Sequence, residues 1–427
     1  MIIAVLLLCF VAFAILTVPI AFAVAFAAFL AYSSTDDTPV LVMPQQMFAG
    51  TDSFVLLALP LFILAGQIME KGGISERLMQ LANVIIGHVR GGLAMGVVVG
   101  TMFFSGTTGS KLAEASALGA VALPGMKRAG YRPEMSVSVI ASASAMGELI
   151  PPALLMVVIA SIANLSVAKL FAGGFLPAMT LALLLMVVIF VQAGHTNMAR
   201  TNRPTGLQFF RTVLQALLPL GLPFVIFGSI FTGLADPTEA AALAVVYALV
   251  LSLVIYRSVK LRELPRMFVD SAVTTGVIIL MVGAASAASW LLAEQNVPSN
   301  LAAGMVRIST SPVIFFVLTT LVFVVLGSVL EGVPAVIICM PIFLPIAINL
   351  HIDPLHYAIV VVAAIGLGLF IPPFGAGYLI VSRAAGIRPE AAIRTMLPYI
   401  GILLLGMLVL IVVPAISLTI PGLLPHK

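Results

Sequence analysis

The chain reads Ser105-Gly106-Thr107-Thr108-Gly109-Ser110 and, further on, Met146-Gly147-Glu148-Leu149-Ile150-Pro151-Pro152. Glycine lets a backbone turn tightly and lets other groups approach it. The first segment is therefore predicted to be a tip on which Thr108 and Ser110 present hydroxyl oxygens. Proline has no N–H and breaks the helical ladder, which frees carbonyl oxygens upstream of it. Hydroxyls and freed carbonyls together suit a hard monovalent cation such as sodium. The N-terminus of the half-helix after the break suits an anion. The plan recurs at Gly327-Ser328 and Glu331, which are predicted to face Gly368-Leu369-Phe370-Ile371-Pro372-Pro373. Gly109 and Ser328 at the tips, with Pro152 and Pro373 where the half-helices begin, would line one anion position between two cation positions. Singly, Thr108 or Ser110 could serve helix packing and the prolines could be kinks. A tip opposite a break, found twice, favours binding.

Lys111, Glu114, Glu148 and Glu331 fall in apolar surroundings, where an ionisable group is costly and marks function. Lys111 either attracts a carboxylate substrate or pairs with Glu148 or Glu114 as a structural link; the sequence leaves both open. Glu331 could ligate the second cation or relay a proton. Arg383 lies ten residues past Pro373, about 15 Å of helix, which sets it near the inner surface. Trp290 is read as packing or as an interfacial anchor. The five histidines show no metal-ligand spacing. No Walker, GxSxG or HExxH motif occurs, so neither ATP-driven transport nor hydrolysis has support. The chain is read as a non-enzyme without an organic cofactor.

Such patches need a scaffold that holds non-helical backbone in an apolar setting. The chain is 62% hydrophobic and 8% charged, against about 25% charged for a soluble domain. Apolar runs near 20 residues recur along it, as helices that span a bilayer require, and a barrel would instead alternate in stretches of about ten. Nine crossings are expected, at 2–31, 54–70, 133–163, 174–194, 207–232, 238–256, 270–293, 355–384 and 396–420. Residues 92–127 and 311–346 are too long for one span and Gly/Ser-rich at their centres, and are read as re-entrant hairpins. Such backbone survives at membrane depth only when buried in protein or lining a wet cavity. The first segment is too long for a signal-peptide core and lacks a basic start, so it is expected to be retained. Cys9 and Cys339 sit in apolar segments and imply no disulfide.

With the N-terminus in the cytoplasm, loops assigned inside carry 16 of the 20 Lys and Arg residues. That asymmetry orients the protein and sets the C-terminus outside. The net charge of +4 then reflects basic loops and not a nucleic-acid partner.

The halves match at a nearly fixed offset. Leu16–Pro19 resembles Leu234–Pro237, and Asp52-Ser53 resembles Asp270-Ser271, both at 218. Gly106-Thr107 matches Gly327-Ser328, Leu123-Pro124 matches Leu344-Pro345, and Ile150–Pro152 matches Ile371–Pro373, all at 221. The expected fold is an all-α polytopic membrane protein with an inverted repeat. Residues 1–195 form the first repeat, with hairpin 92–127 and broken helix 133–163. Residues 196–236 form a linker and scaffold helix. Residues 237–427 form the second repeat, with hairpin 311–346 and broken helix 355–384. Inverted repeats with discontinuous helices point to a secondary transporter that binds near the midplane. Glu148 has no counterpart at Leu369, so the two sites need not be chemically alike.

Several motifs are similar to the large membrane subunit of the tripartite ATP-independent periplasmic (TRAP) transporters. They are the region Asp52–Gly66, Gly73-Ile-Ser75, His88–Ala94, Met102–Phe104 leading to Gly109-Ser110, Gly233–Ala242 with its Pro-Thr-Glu-Ala core, and Gly368–Gly375. The likeness covers nearly the whole chain. It implies an elevator-type, sodium-coupled importer of organic acids in the bacterial inner membrane. It also implies a soluble periplasmic binding protein that delivers the substrate and a small four-helix membrane subunit, expected as a separate chain. One sodium site is implied at Thr108, Ser110, Gly147 and Pro152, and a second at Gly327, Glu331, Ile371 and Pro372. Glu114 takes the place of a family aspartate near the substrate. Lys111 stands where a small residue is expected, Glu148 where proline is common and Glu331 where aspartate is common; Arg383 is also unusual. Competing readings are a stand-alone anion transporter or antiporter of related architecture and a non-transporting scaffold subunit.

Overall fold

Apolar runs of this length must satisfy their backbone hydrogen bonds internally, which in lipid means helices or a closed barrel. The computed structural model describes residues 2–35, 38–105, 111–195, 204–297, 300, 311–330 and 332–424, and no strand occurs among them. The first repeat comprises α1 (Ile2–Ile15), α2 (Ile20–Ser33), α3 (Val42–Thr51), α4 (Ala58–Lys71), α5 (Ile74–Ile86), α6 (Gly92–Phe104), α7 (Lys111–Arg128), α8 (Pro133–Met146), α9 (Leu154–Ala163) and α10 (Val167–His195). After α11 (Gly206–Phe231) come α12 (Pro237–Leu249), α13 (Leu264–Glu294), α14 (Pro312–Val329), α15 (Gly332–Asn349), α16 (Pro354–Phe370), α17 (Ala376–Ala384), α18 (Pro389–Val412) and α19 (Ala415–Gly422).

Residues 2–31 are not the single crossing expected from their hydropathy. They form two 14-residue helices, each about 21 Å long. Pro19 cannot continue the ladder, and Thr17 adopts a φ of 60°, so the chain turns back. The Phe13 and Phe26 rings then lie 5.8 Å apart; an unbroken helix would separate these residues by about 20 Å. Leu6 clusters with Ala28, Ala31 and Tyr32, and Phe10 with Val24 and Ala27, which is antiparallel pairing. The chain therefore leaves this pair on the side from which it entered.

Among the described residues nine helices are long and apolar enough to cross a membrane, but they are not the nine expected. Residues 2–31 and 355–384 drop out because the helices within them, of 14, 14, 17 and 9 residues, are too short, whereas 133–163 qualifies when α8 and α9 are taken together across their break. Both arms of the second hairpin, α14 and α15, qualify by length at 18 residues each. In the first hairpin α6 has 13 residues, about 20 Å, too short to cross.

The repeat organises the packing. A twofold relation between halves requires that contacts between them occur in swapped pairs. The second arm of each hairpin packs on the far half of the other repeat's broken helix, α7 on α17 and α15 on α9. The near halves pack on the long helices, α8 on α18 and α16 on α10. Likewise α2 packs on α13 while α12 packs on α4. The broken helices also meet each other, α8 against α16.

The Pro-Thr-Glu-Ala motif is a helix start. Asp236 accepts hydrogen bonds from the Thr238 and Glu239 backbone N–H groups at 2.8 and 2.9 Å, and Glu239 accepts from the Asp236 N–H at 3.0 Å. This reciprocal capping box satisfies donors that helix geometry leaves free.

Candidate functional site

Each broken helix stops where its prolines withdraw donors. In the first, α8 gives way to a 3-10 turn at Gly147–Leu149 and an extended stretch before α9. An unbroken helix would bond the Gly147 carbonyl to the N–H four residues on, which Pro151 lacks. That oxygen instead accepts the Ile150 N–H at 3.0 Å and the Lys111 Nζ at 3.0 Å. In the second, Pro372 withdraws the donor to the Gly368 carbonyl, which accepts the Ile371 N–H at 3.1 Å. The Pro151–Pro152 and Pro372–Pro373 bonds are both cis.

The described ends of the hairpin arms lie against these breaks. Gly147 lies so close to the first hairpin that a Cβ there would fall 2.1 Å from Ser105 Oγ and 2.9 Å from Glu114 Oε1. A Cβ on Gly368 would fall 2.2 Å from the Val324 carbonyl, and one on Gly327 2.9 Å from the Ile365 carbonyl. Backbone meets backbone only because these positions lack side chains.

Lys111, at the start of α7, turns inward. Its ammonium bonds Glu114 Oε2 at 2.7 Å, Ser105 Oγ at 2.9 Å, the Ser105 carbonyl at 3.1 Å and the Gly147 carbonyl at 3.0 Å. Ser105 Oγ in turn donates to Glu114 Oε1 at 2.5 Å. Lys111 is 9% exposed and Glu114 fully buried. The pairing left open by the sequence is thus with Glu114. Glu148 is buried, with its Cβ and Cγ 3.2 Å from where a Cβ on Gly366 would stand. Ser105 was not anticipated; its signal was adjacency to the glycine tip.

Thr108, Gly109, Ser110 and Glu331 lie outside the described residues. Of the other expected site residues, Pro151 and Pro152 are buried, whereas Ile371, Pro372 and Ser328 are half-buried and Pro373 is exposed. Ser328 Oγ donates back to the Val325 carbonyl at 2.7 Å. A cavity of about 430 Å³ adjoins the first break, walled by Met102, Phe103, Ile150, Pro151, Pro152 and Phe171 among others. Its carbon lining suits hydrocarbon, and an anion would find no donor there. No cluster of three or more His, Cys, Asp or Glu able to hold a metal occurs among the described residues.

Residues 7–416 match the family model for the tripartite ATP-independent periplasmic transporter, DctM component. The chain is 35% identical over 377 residues to the C4-dicarboxylate TRAP transporter large permease protein DctM of Pseudomonas aeruginosa, covering 88% of each chain. It is 31% identical over 408 residues to the sialic acid TRAP transporter large permease protein SiaM of Vibrio cholerae, covering 95% of each. It is also 31% identical to the 2,3-diketo-L-gulonate TRAP transporter large permease protein YiaN of Escherichia coli, covering 88% of each. Among solved structures, the YdaH transporter of Alcanivorax borkumensis shares the fold at a TM-score of 0.65 and 16% identity, over 87% of each chain.

Proposed function

We infer the function from one premise: the chain belongs to the DctM-component family of tripartite ATP-independent periplasmic transporters. It is a large permease subunit and spans the membrane many times. On that basis it imports an organic acid, most simply a carboxylate, with sodium as the coupling ion. The observation that carries this reading is the pair of hairpin-and-break junctions, Ser105 and Lys111 against Gly147, and Gly327 against Gly368. Each holds a carbonyl oxygen whose helical donor a proline has withdrawn, Gly147 in one half and Gly368 in the other. Two cation positions flank an anion position, the second built from Gly327, Glu331, Ile371 and Pro372. The substrate lies between the hairpin tips, near Gly109, Ser328, Pro152 and Pro373. Relatives named for a C4-dicarboxylate, for sialic acid and for diketogulonate support an acidic substrate.

In this reading a periplasmic binding protein delivers the acid, a small four-helix membrane subunit braces the permease, and the hairpin-bearing core moves as an elevator in the bacterial inner membrane. Basic loops face the cytoplasm. Because α1 and α2 fold back on each other, the N-terminus then joins the C-terminus on the outer face, not the cytoplasmic face expected from a single first crossing.

Reconstitution in proteoliposomes tests the function. Uptake of a labelled acid that requires sodium, the small subunit and the binding protein together is the expected result. Uptake by this chain alone would remove the tripartite reading and favour a stand-alone transporter.

A further inference from the structure

We propose that the Lys111 ammonium is a resident cation filling the first of the two cation positions, so that only the second half takes a sodium ion from solution. Three observations lead there. First, the ammonium is surrounded as a bound monovalent cation would be. A hydroxyl (Ser105), a carboxylate (Glu114) and two carbonyls (Ser105 and Gly147) stand 2.7–3.1 Å from Nζ. They come from the end of α6, the first turn of α7 and the break after α8, the elements whose meeting defines this junction. The Gly147 oxygen that Pro151 frees is the one the ammonium takes. With more acceptors than its three N–H groups can serve singly, Lys111 has no donor left for a substrate carboxylate.

Second, the ammonium's own charge is met by a carboxylate within the junction. Lys111 and Glu114 form a buried neutral pair. A sodium ion sharing the Gly147 oxygen would set a second positive charge in contact with the ammonium, a like-charge repulsion that a low-dielectric site strengthens. Third, the arrangement belongs to one half only. The offset that carries Ile150 to Ile371 carries Lys111 to Gly332, Ser105 to Leu326 and Glu114 to Ala335. Among the described residues, therefore, no ammonium stands beside the Gly368 carbonyl, freed as Gly147 is, and the second break is the more open of the two. A tethered charge cannot exchange with solution, so the first junction holds its tip against the break without coupling to an ion gradient. The consequence for ion stoichiometry rests on the sodium-driven reading above; the occupancy of the junction does not.

Thermal unfolding of the purified full-length protein in detergent decides the occupancy. Lys111→Ala is expected to unfold at a lower Tm than wild type in choline chloride. Sodium chloride at equal ionic strength should raise its Tm by about 2 °C or more beyond any rise in wild type, because the emptied junction now binds the ion. Lys260→Ala on an exposed loop should respond as wild type does. An equal sodium response in Lys111→Ala and wild type overturns the proposal. If Lys111→Ala cannot be isolated folded, sodium-22 and labelled substrate are followed together in wild-type proteoliposomes. At most one sodium per substrate supports the resident cation, and two or more overturn it. Substrate uptake with no sodium also supports the resident cation and instead sinks the sodium-driven reading of function.

Discussion

Ala145 and Gly366, repeat mates at the offset of 221, touch each other: a Cβ on Gly366 would fall 2.3 Å from the Ala145 carbonyl oxygen. A residue that meets its own mate marks the twofold relation between halves. The broken helices α8 and α16 therefore cross just ahead of their breaks, and their spacing there sets how the two junctions sit relative to each other.

Gly366→Ala would drive a methyl into that carbonyl, where only backbone could yield. Transport is expected to fall at least tenfold and Tm to drop, read by uptake and by thermal unfolding in parallel. Gly125→Ala, where nothing lies within 4 Å of the new atom, should leave both near wild type. Equal effects of the two substitutions would show that the crossing tolerates separation.

Gly147→Ala tests the first junction. Its Cβ would overlap Ser105 Oγ and push the hairpin tip off the break. Uptake is expected to be lost while the protein still inserts, as judged by size-exclusion chromatography of the membrane extract. Retained uptake would mean that this contact does not hold the tip during transport.

The Lys111–Glu114 pair lends itself to a double-mutant cycle. Removing one partner of a buried ion pair costs about 3–5 kcal/mol, because it strands the other charge. Lys111→Met and Glu114→Gln should each destabilise by that order in sodium-free medium, and the double variant by clearly less than their sum. Additive losses would show that the two side chains do not act as a unit.

Asp236→Ala removes the acceptor for two backbone N–H groups at the start of α12. The expected loss is about 1 kcal/mol of stability, measured by thermal unfolding, with sodium dependence of uptake unchanged. A changed sodium dependence would give the Pro-Thr-Glu-Ala segment a role beyond capping.

Cysteines replacing Phe13 and Phe26 check the fold-back of the first segment. Their rings are 5.8 Å apart, so a short bis-maleimide should link them within one chain. No linkage, with both cysteines still reactive, would restore a continuous first helix.

The sequence by itself determined the solvent, the repeat and the breaks. Composition excludes a water-facing shell, a fixed offset reveals duplication, and Pro151-Pro152 and Pro372-Pro373 forbid a continuous ladder wherever they fall. These are local or statistical properties that survive projection onto one dimension. Tertiary structure alone decided what meets what. Hydropathy cannot distinguish one 30-residue span from two helices folded at Thr17–Pro19, since both bury the same residues in lipid. Helix spacing already sets Glu114 beside Lys111 at i+3, but Ser105 becomes a neighbour only when α6 and α7 close into a hairpin. Gly147 joins them only when that hairpin docks on a helix 36 residues further on. The proposed difference between the halves, one junction held by its own ammonium and the other without one, arises from that docking.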